Sequence, residues 1–114
     1  MASEEKTIAI AGAGSIGCYV GGCLALAGRR VVFLARPRID EALRKSGLRV
    51  SDLEGRDRRI GSDALSITAD PAAALRDADV ILVTVKSGAT QEMAALTAAH
   101  ARPDAVVEIG RAHV

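Results

Sequence analysis

Thr7-Ile8-Ala9-Ile10-Ala11-Gly12-Ala13-Gly14-Ser15-Ile16-Gly17 is the stretch on which the reading of this chain turns. Its first five residues form a continuous apolar run rich in β-branched side chains, and glycines follow at once, which predicts a buried parallel strand entering a tight turn. From Ser15 the period changes. Ile16, Val20, Cys23, Leu24 and Ala27 recur at helical spacing as far as Gly28, predicting a helix of about a dozen residues with Ser15 as its cap. Gly17, Gly21 and Ala25 add a stripe of small residues that permits close backbone approach. Val31-Val32-Phe33-Leu34-Ala35 is again wholly apolar, so strand, glycine turn, helix and strand make one βαβ unit.

Beyond this unit, Ile39 to Lys45 predicts a short helix ending at Gly47. Leu48-Arg49-Val50-Ser51 and Arg58-Arg59-Ile60 flank Glu54-Gly55 as a small hairpin. Leu65 to Thr68 predicts a short strand, and Asp70-Pro71 opens a brief Ala-rich helix with Asp as cap. Asp79-Val80-Ile81-Leu82-Val83-Thr84-Val85-Lys86 is a solid aliphatic run with a charge at each end, as expected of a central parallel strand. Gln91 to His100 predicts a helix, Pro103-Asp104 a turn and Ala105-Val106-Val107 the start of another strand. His100 is expected to be exposed, and Asp79 to serve the turn before its strand. The alternation predicts an α/β fold, a Rossmann-like doubly wound parallel sheet, incomplete because so short a chain supplies only part of the usual sheet and leaves an exposed apolar edge.

Composition agrees. The 114 residues are 49% hydrophobic with one Phe, one Tyr and no Trp, which suits tight helix-on-sheet layers more than an aromatic-rich sandwich. Fifteen basic against 14 acidic residues leave a net charge of +1, no excess for a polyanion, so nucleic-acid binding is disfavoured. Cys18 and Cys23 lack CxxC spacing and a nearby His, so they read as buried free thiols in a reducing cytosol, and no metal is expected. Met1 to Lys6 is polar, and no run approaches the ~20 apolar residues that span a bilayer, so a cytoplasmic protein without membrane contact is expected.

Gly12-Ala13-Gly14-Ser15-Ile16-Gly17 is a GxGxxG in the context that gives the motif its meaning. Gly12 permits the sharp turn, Gly14 lets backbone approach a pyrophosphate, and Gly17 lets the helix sit against the strand. The helix N-terminus, at Ser15 and Ile16, offers N–H groups and a positive dipole end to phosphates. A phosphate-loop NTPase needs Lys then Ser or Thr after the last glycine, and Cys18-Tyr19 stands there instead. After the second strand an NAD site usually places a carboxylate against the ribose hydroxyls, whereas this chain has Ala35-Arg36-Pro37-Arg38. Arg36 is suited to a 2′-phosphate, with Arg38 a weaker second ligand, so NADP (as NADPH) is the expected cofactor. Lys86, on the ligand side of the sheet, is a further candidate, although a surface lysine often closes a strand.

Ile8 to Gly17, Phe33-Leu34-Ala35-Arg36, Gly47-Leu48-Arg49-Val50 and Asp79 to Lys86 together resemble the ketopantoate reductase (2-dehydropantoate 2-reductase) family. The resemblance implies NADPH-dependent reduction of a small 2-oxo acid, ketopantoate to pantoate, on the way to pantothenate and coenzyme A. It places the positions of Gly12, Gly14 and Gly17 on the pyrophosphate, Arg36 on the 2′-phosphate and Lys86 near the cofactor. In that family an Asn-Gly turn and a helical domain carrying the acid/base lysine and the substrate-binding residues come later. No catalytic residue is therefore expected here, and the chain alone is expected to be inactive. Residues 1–107 are read as the NADP-binding domain. Glu108-Ile109-Gly110-Arg111-Ala112-His113-Val114 matches one reading frame of a common sequencing-library adapter and is read as a non-native tail. A stand-alone nucleotide-binding or redox-sensing module, and a related reductase with another substrate, remain the alternatives.

Overall fold

In a computed structural model, which describes residues 6–51, 55, 57–85 and 90–109, five of the apolar runs lie side by side as a parallel sheet. β1 (Thr7–Ala11) and β2 (Arg30–Leu34) are joined by α1 (Ser15–Leu26). The chain then forms α2 (Pro37–Ser46), the strands β3 (Leu48–Ser51) and β4 (Asp57–Ile60), and β5 (Ser66–Thr68). It continues as α3 (Pro71–Leu75), β6 (Val80–Val83), α4 (Thr90–His100) and β7 (Val106–Ile109). The sheet order β5-β2-β1-β6-β7 runs outward in both directions from the β1–β6 pair, the doubly wound arrangement predicted. β3 and β4 pair antiparallel as the predicted hairpin, Leu48 opposite Ile60 and Ser51 opposite Asp57. Glu54 of the predicted turn lies outside the described residues.

Alternation along the strands fills two cores. Ile10 and Phe33 pack on one face of the sheet with Leu43, Leu48 and Val50. Ala9, Ala11, Ile81 and Val83 pack on the other with Ala74 and Leu75. Phe33 is the chain's only Phe and is almost wholly buried. It occupies room that α1 leaves by carrying Gly21, where an added Cβ would come within 2.4 Å of the ring. Burying such a side chain contributes roughly 1.5–3 kcal/mol, so the small-residue stripe acts through the packing it admits. Gly22 does the same on the next face of α1, where a Cβ would meet Val50 at 2.4 Å.

Several local expectations need correction. Gly14, and not Ser15, is the cap of α1: its carbonyl accepts the Cys18 N–H at 2.8 Å, and Ser15 is already helical. Cys23 is exposed and Cys18 only half-buried, because the sheet-facing side of α1 is the glycine side. His100 is partly covered. β6 ends at Val83 although the apolar run continues to Val85. Its partner β1 turns away at Gly12, whose N–H goes to Leu34 of β2, so beyond Thr84 there is nothing left to pair with on that side. Asp70 caps α3 as predicted, accepting the Ala72 N–H at 3.1 Å. No helix among the described residues is long and apolar enough to cross a membrane. β7 forms one edge of the sheet and leaves Val106, Val107 and Ile109 exposed.

Asp79 does more than open its strand. One carboxylate oxygen accepts the Thr7 N–H of β1 at 2.8 Å and the other pairs with Arg102, while its main chain bonds to both Thr7 and Val106. The residue thus ties the entry ends of β1, β6 and β7. The Thr7 amide first, and Arg102 second, hold its carboxyl below the usual carboxylate range. A carboxyl with a depressed folded-state pKa contributes stability that is complete above its unfolded value, near 3.8, and that fades as pH falls through the folded value. Asp79→Asn is therefore expected to lower the thermal midpoint at pH 7, with the gap to wild type closing as the pH drops below about 4. Thermal melts across pH 2–7 check this, and a gap that stays constant with pH would refute it.

Candidate functional site

The site is built where β1 and β2 end. Ala11 and Leu34 are register partners, and the chain leaves both strands at the same edge of the sheet. Gly12 turns at φ +88, a region where L side chains are strained, and directs its N–H to the Leu34 carbonyl at 3.1 Å. Ala13 donates to the same carbonyl at 2.9 Å, and Gly14 donates back to the Gly12 carbonyl at 2.8 Å. The first helical bond of α1 is the one from Cys18, and an α-helix leaves the amides ahead of its first bond, here those of Ser15, Ile16 and Gly17, without an intrahelical acceptor. These amides, together with the helix dipole, form an anion-attracting end.

The three glycines differ in what surrounds them. A Cβ on Gly12 would lie 2.0 Å from Val85 Cγ1, and one on Gly17 would lie 2.5 Å from Thr84 Oγ1, so both are pressed against the loop that follows β6. A Cβ on Gly14 would meet nothing within 4 Å. Gly14 is the glycine that faces open space, as a residue against a ligand must. Cys18 sits just behind, its thiol donating weakly to the Ala13 carbonyl at 3.9 Å, and burial pushes that thiol's pKa up, so it stays protonated at neutral pH.

Arg36 follows Leu34, whose carbonyl anchors the turn, by one intervening residue. It is exposed, caps α2 in extended conformation with Pro37 next, and makes no ion pair or side-chain hydrogen bond among the described residues. Arg38 is exposed in the first turn of α2 and equally unpaired among the described residues. The first-turn carboxylate, Asp40, is taken by Arg44, whose guanidinium also reaches the Ile67 carbonyl of β5. Two cations therefore stand at the positive end of a helix, where the dipole favours anions. Lys86, the remaining candidate, lies outside the described residues. Thr84 and Val85, which brace the turn, were not predicted: nothing in an aliphatic run marks which residue ends beside a glycine of another strand.

A parallel sheet with its winding reversed between β1 and β6, a glycine turn at the exit of β1 and an arginine at the exit of β2 define a doubly wound α/β domain. Residues 8–109 match the family described as ketopantoate reductase PanE/ApbA, and the chain belongs to that family. It is 40% identical over 89 residues to a 2-dehydropantoate 2-reductase of Archaeoglobus fulgidus, a match covering 78% of this chain and 27% of that protein. Among solved structures it is similar to a PanE/ApbA family ketopantoate reductase from Ralstonia eutropha, with a TM-score of 0.77 and 38% identity over 89% of this chain and 32% of the other. A 2-dehydropantoate 2-reductase from Geobacter metallireducens superposes with a TM-score of 0.79 at 27% identity, over 95% of this chain and 34% of the other. The chain thus spans about a third or less of the length of these relatives.

Proposed function

We propose that this chain is the cofactor-binding domain of an NADPH-dependent 2-oxo acid reductase, and that the substrate of the whole enzyme is 2-dehydropantoate, reduced to pantoate. The observation that carries the cofactor reading is the pairing of an open glycine, Gly14, with an unpaired arginine on the adjacent strand exit. Gly14 leaves room for a diphosphate beside the first amides of α1, and Arg36 supplies a planar guanidinium for a 2′-phosphate, with Arg38 beside it. A bound phosphate would also relieve the mismatch of two cations at the start of α2. The residues present thus fit NADPH, which when bound supplies a hydride to the substrate carbonyl.

This chain's part is to bind and orient. The Gly12 turn fixes where the diphosphate sits, α1 directs its dipole there, and Arg36 distinguishes the phosphorylated cofactor. The substrate reading draws on the family and on the relatives' names, and the residues that hold and protonate the substrate are assigned to the part of the enzyme beyond this chain. We read the domain as residues 1–107, although β7 and the family match run on to Ile109, with Lys86 as a further cofactor contact and a cytoplasmic location. Titration of the chain with NADPH and with NADH, followed by nucleotide fluorescence, is expected to show NADPH favoured by about tenfold or more, the worth of one charge-assisted contact. Equal or tighter uptake of NADH, or of neither, would overturn the reading.

A further inference from the structure

We propose that Thr84 is a positioning residue for the cofactor turn, its hydroxyl fixing the peptide plane between Gly12 and Ala13; the inference rests on the cofactor reading above. That peptide is held from both sides. Its N–H, on Ala13, donates to the Leu34 carbonyl of β2 at 2.9 Å. Its carbonyl, on Gly12, accepts the Thr84 hydroxyl at 3.1 Å, just beyond the end of β6; the hydroxyl's other acceptor within reach, the Ala11 carbonyl, is farther at 3.4 Å, so the one proton goes mainly to Gly12. In a trans peptide N–H and C=O point in opposite directions, and β2 and β6 flank β1 on opposite sides, so one plane spans all three strands as a crossbar.

The Thr84 backbone is itself fixed, since its N–H donates to the Ala11 carbonyl at 3.0 Å. The Gly12 carbonyl also accepts the Gly14 N–H at 2.8 Å, so both of its lone pairs are used. Gly17 completes the arrangement: a Cβ there would come within 2.5 Å of Thr84 Oγ1, so the third glycine of the motif makes room for this hydroxyl. Without the hydroxyl the Gly12 carbonyl has one anchor fewer and is freer to rotate. A carbonyl oxygen turned toward a diphosphate repels it, whereas the present orientation leaves the amide-lined start of α1 facing the ligand.

The test compares side chains that differ in the hydroxyl. Thr84→Ser keeps it, Thr84→Ala loses it at reduced volume, and Thr84→Val loses it at nearly constant volume; each is titrated with NADPH, and thermal midpoints are measured in parallel. The serine variant is expected to bind within about twofold of wild type and the alanine and valine variants about tenfold more weakly, the worth of one hydrogen bond. If valine disturbs folding, the serine and alanine pair decides alone. Alanine binding as tightly as serine would overturn the proposal, as would serine binding as weakly as alanine. Wild-type chain that takes up no NADPH overturns the cofactor reading and this inference with it, while tight wild-type binding with an unimpaired alanine variant sinks the inference alone.

Discussion

Gly12→Ala is expected to destabilise the chain by roughly 2–6 kcal/mol. About 1–3 kcal/mol comes from placing a side chain in a sparsely populated backbone region, and about 1–3 from overpacking against Val85, whose Cγ1 lies 2.0 Å from the added Cβ. Neither strain is easily relaxed, because the Gly12 amide is committed to Leu34 of β2, its carbonyl to the Thr84 hydroxyl and the Gly14 amide, and Val85 lies only two residues past the end of β6. Small domains are stable by only about 5–15 kcal/mol, so much of the folded population at elevated temperature is lost. Gly14→Ala, two residues on, is the control. Its φ of −101 lies outside the left-handed region and nothing lies within 4 Å of an added Cβ, so the expected cost is about 1 kcal/mol, the penalty for alanine at a helix cap. The same substitution puts a methyl group where the diphosphate is placed, and NADPH affinity is expected to fall by at least about tenfold. Circular dichroism melts and nucleotide titration of the two variants separate these effects. A Gly12→Ala chain that melts with wild type, or a Gly14→Ala chain that binds like wild type, contradicts the division of labour between the glycines.

That division was partly legible in the sequence. The strand, turn, helix and strand from Thr7 to Leu34 announce themselves because a parallel strand buried on both faces must be continuously apolar, and because the period shifts at Ser15. The second strand, the hairpin and the Asp70 cap were readable for similar local reasons. Register was not. The apolar run Val80 to Val85 looks like one strand, yet its pairing stops where β1 bends away, a fact that belongs to another part of the chain. Thr84 therefore could not be singled out, since its importance comes from lying beside Gly12 at a separation of 72 residues. Asp79 was hidden for the same reason, its main partners being Thr7 and Arg102. Cys23 was misplaced because α1 is apolar on more than one side, so helical spacing alone does not choose the face that meets the sheet; the glycines choose it, by letting Phe33 and Ile10 approach.

Arg36→Glu is expected to invert cofactor preference. A charge-assisted contact to a phosphate contributes about 1.5–3 kcal/mol, so removing it weakens NADPH binding by roughly 10- to 100-fold, and the new carboxylate repels the 2′-phosphate further. NADH carries no such phosphate, and a carboxylate at the end of the second strand can accept from its ribose hydroxyls, so its affinity should hold or rise. Stability should change little, because Arg36 is exposed and has no side-chain partner among the described residues. The same argument requires wild-type NADPH binding to weaken with added salt more steeply than NADH binding, since only the former engages this exposed cation pair. Titration of both nucleotides against both chains at two ionic strengths checks the whole set. If Arg36→Glu still prefers NADPH, the selecting charge lies elsewhere, and Arg38, two residues further on in the first turn of α2, becomes the residue to reverse next.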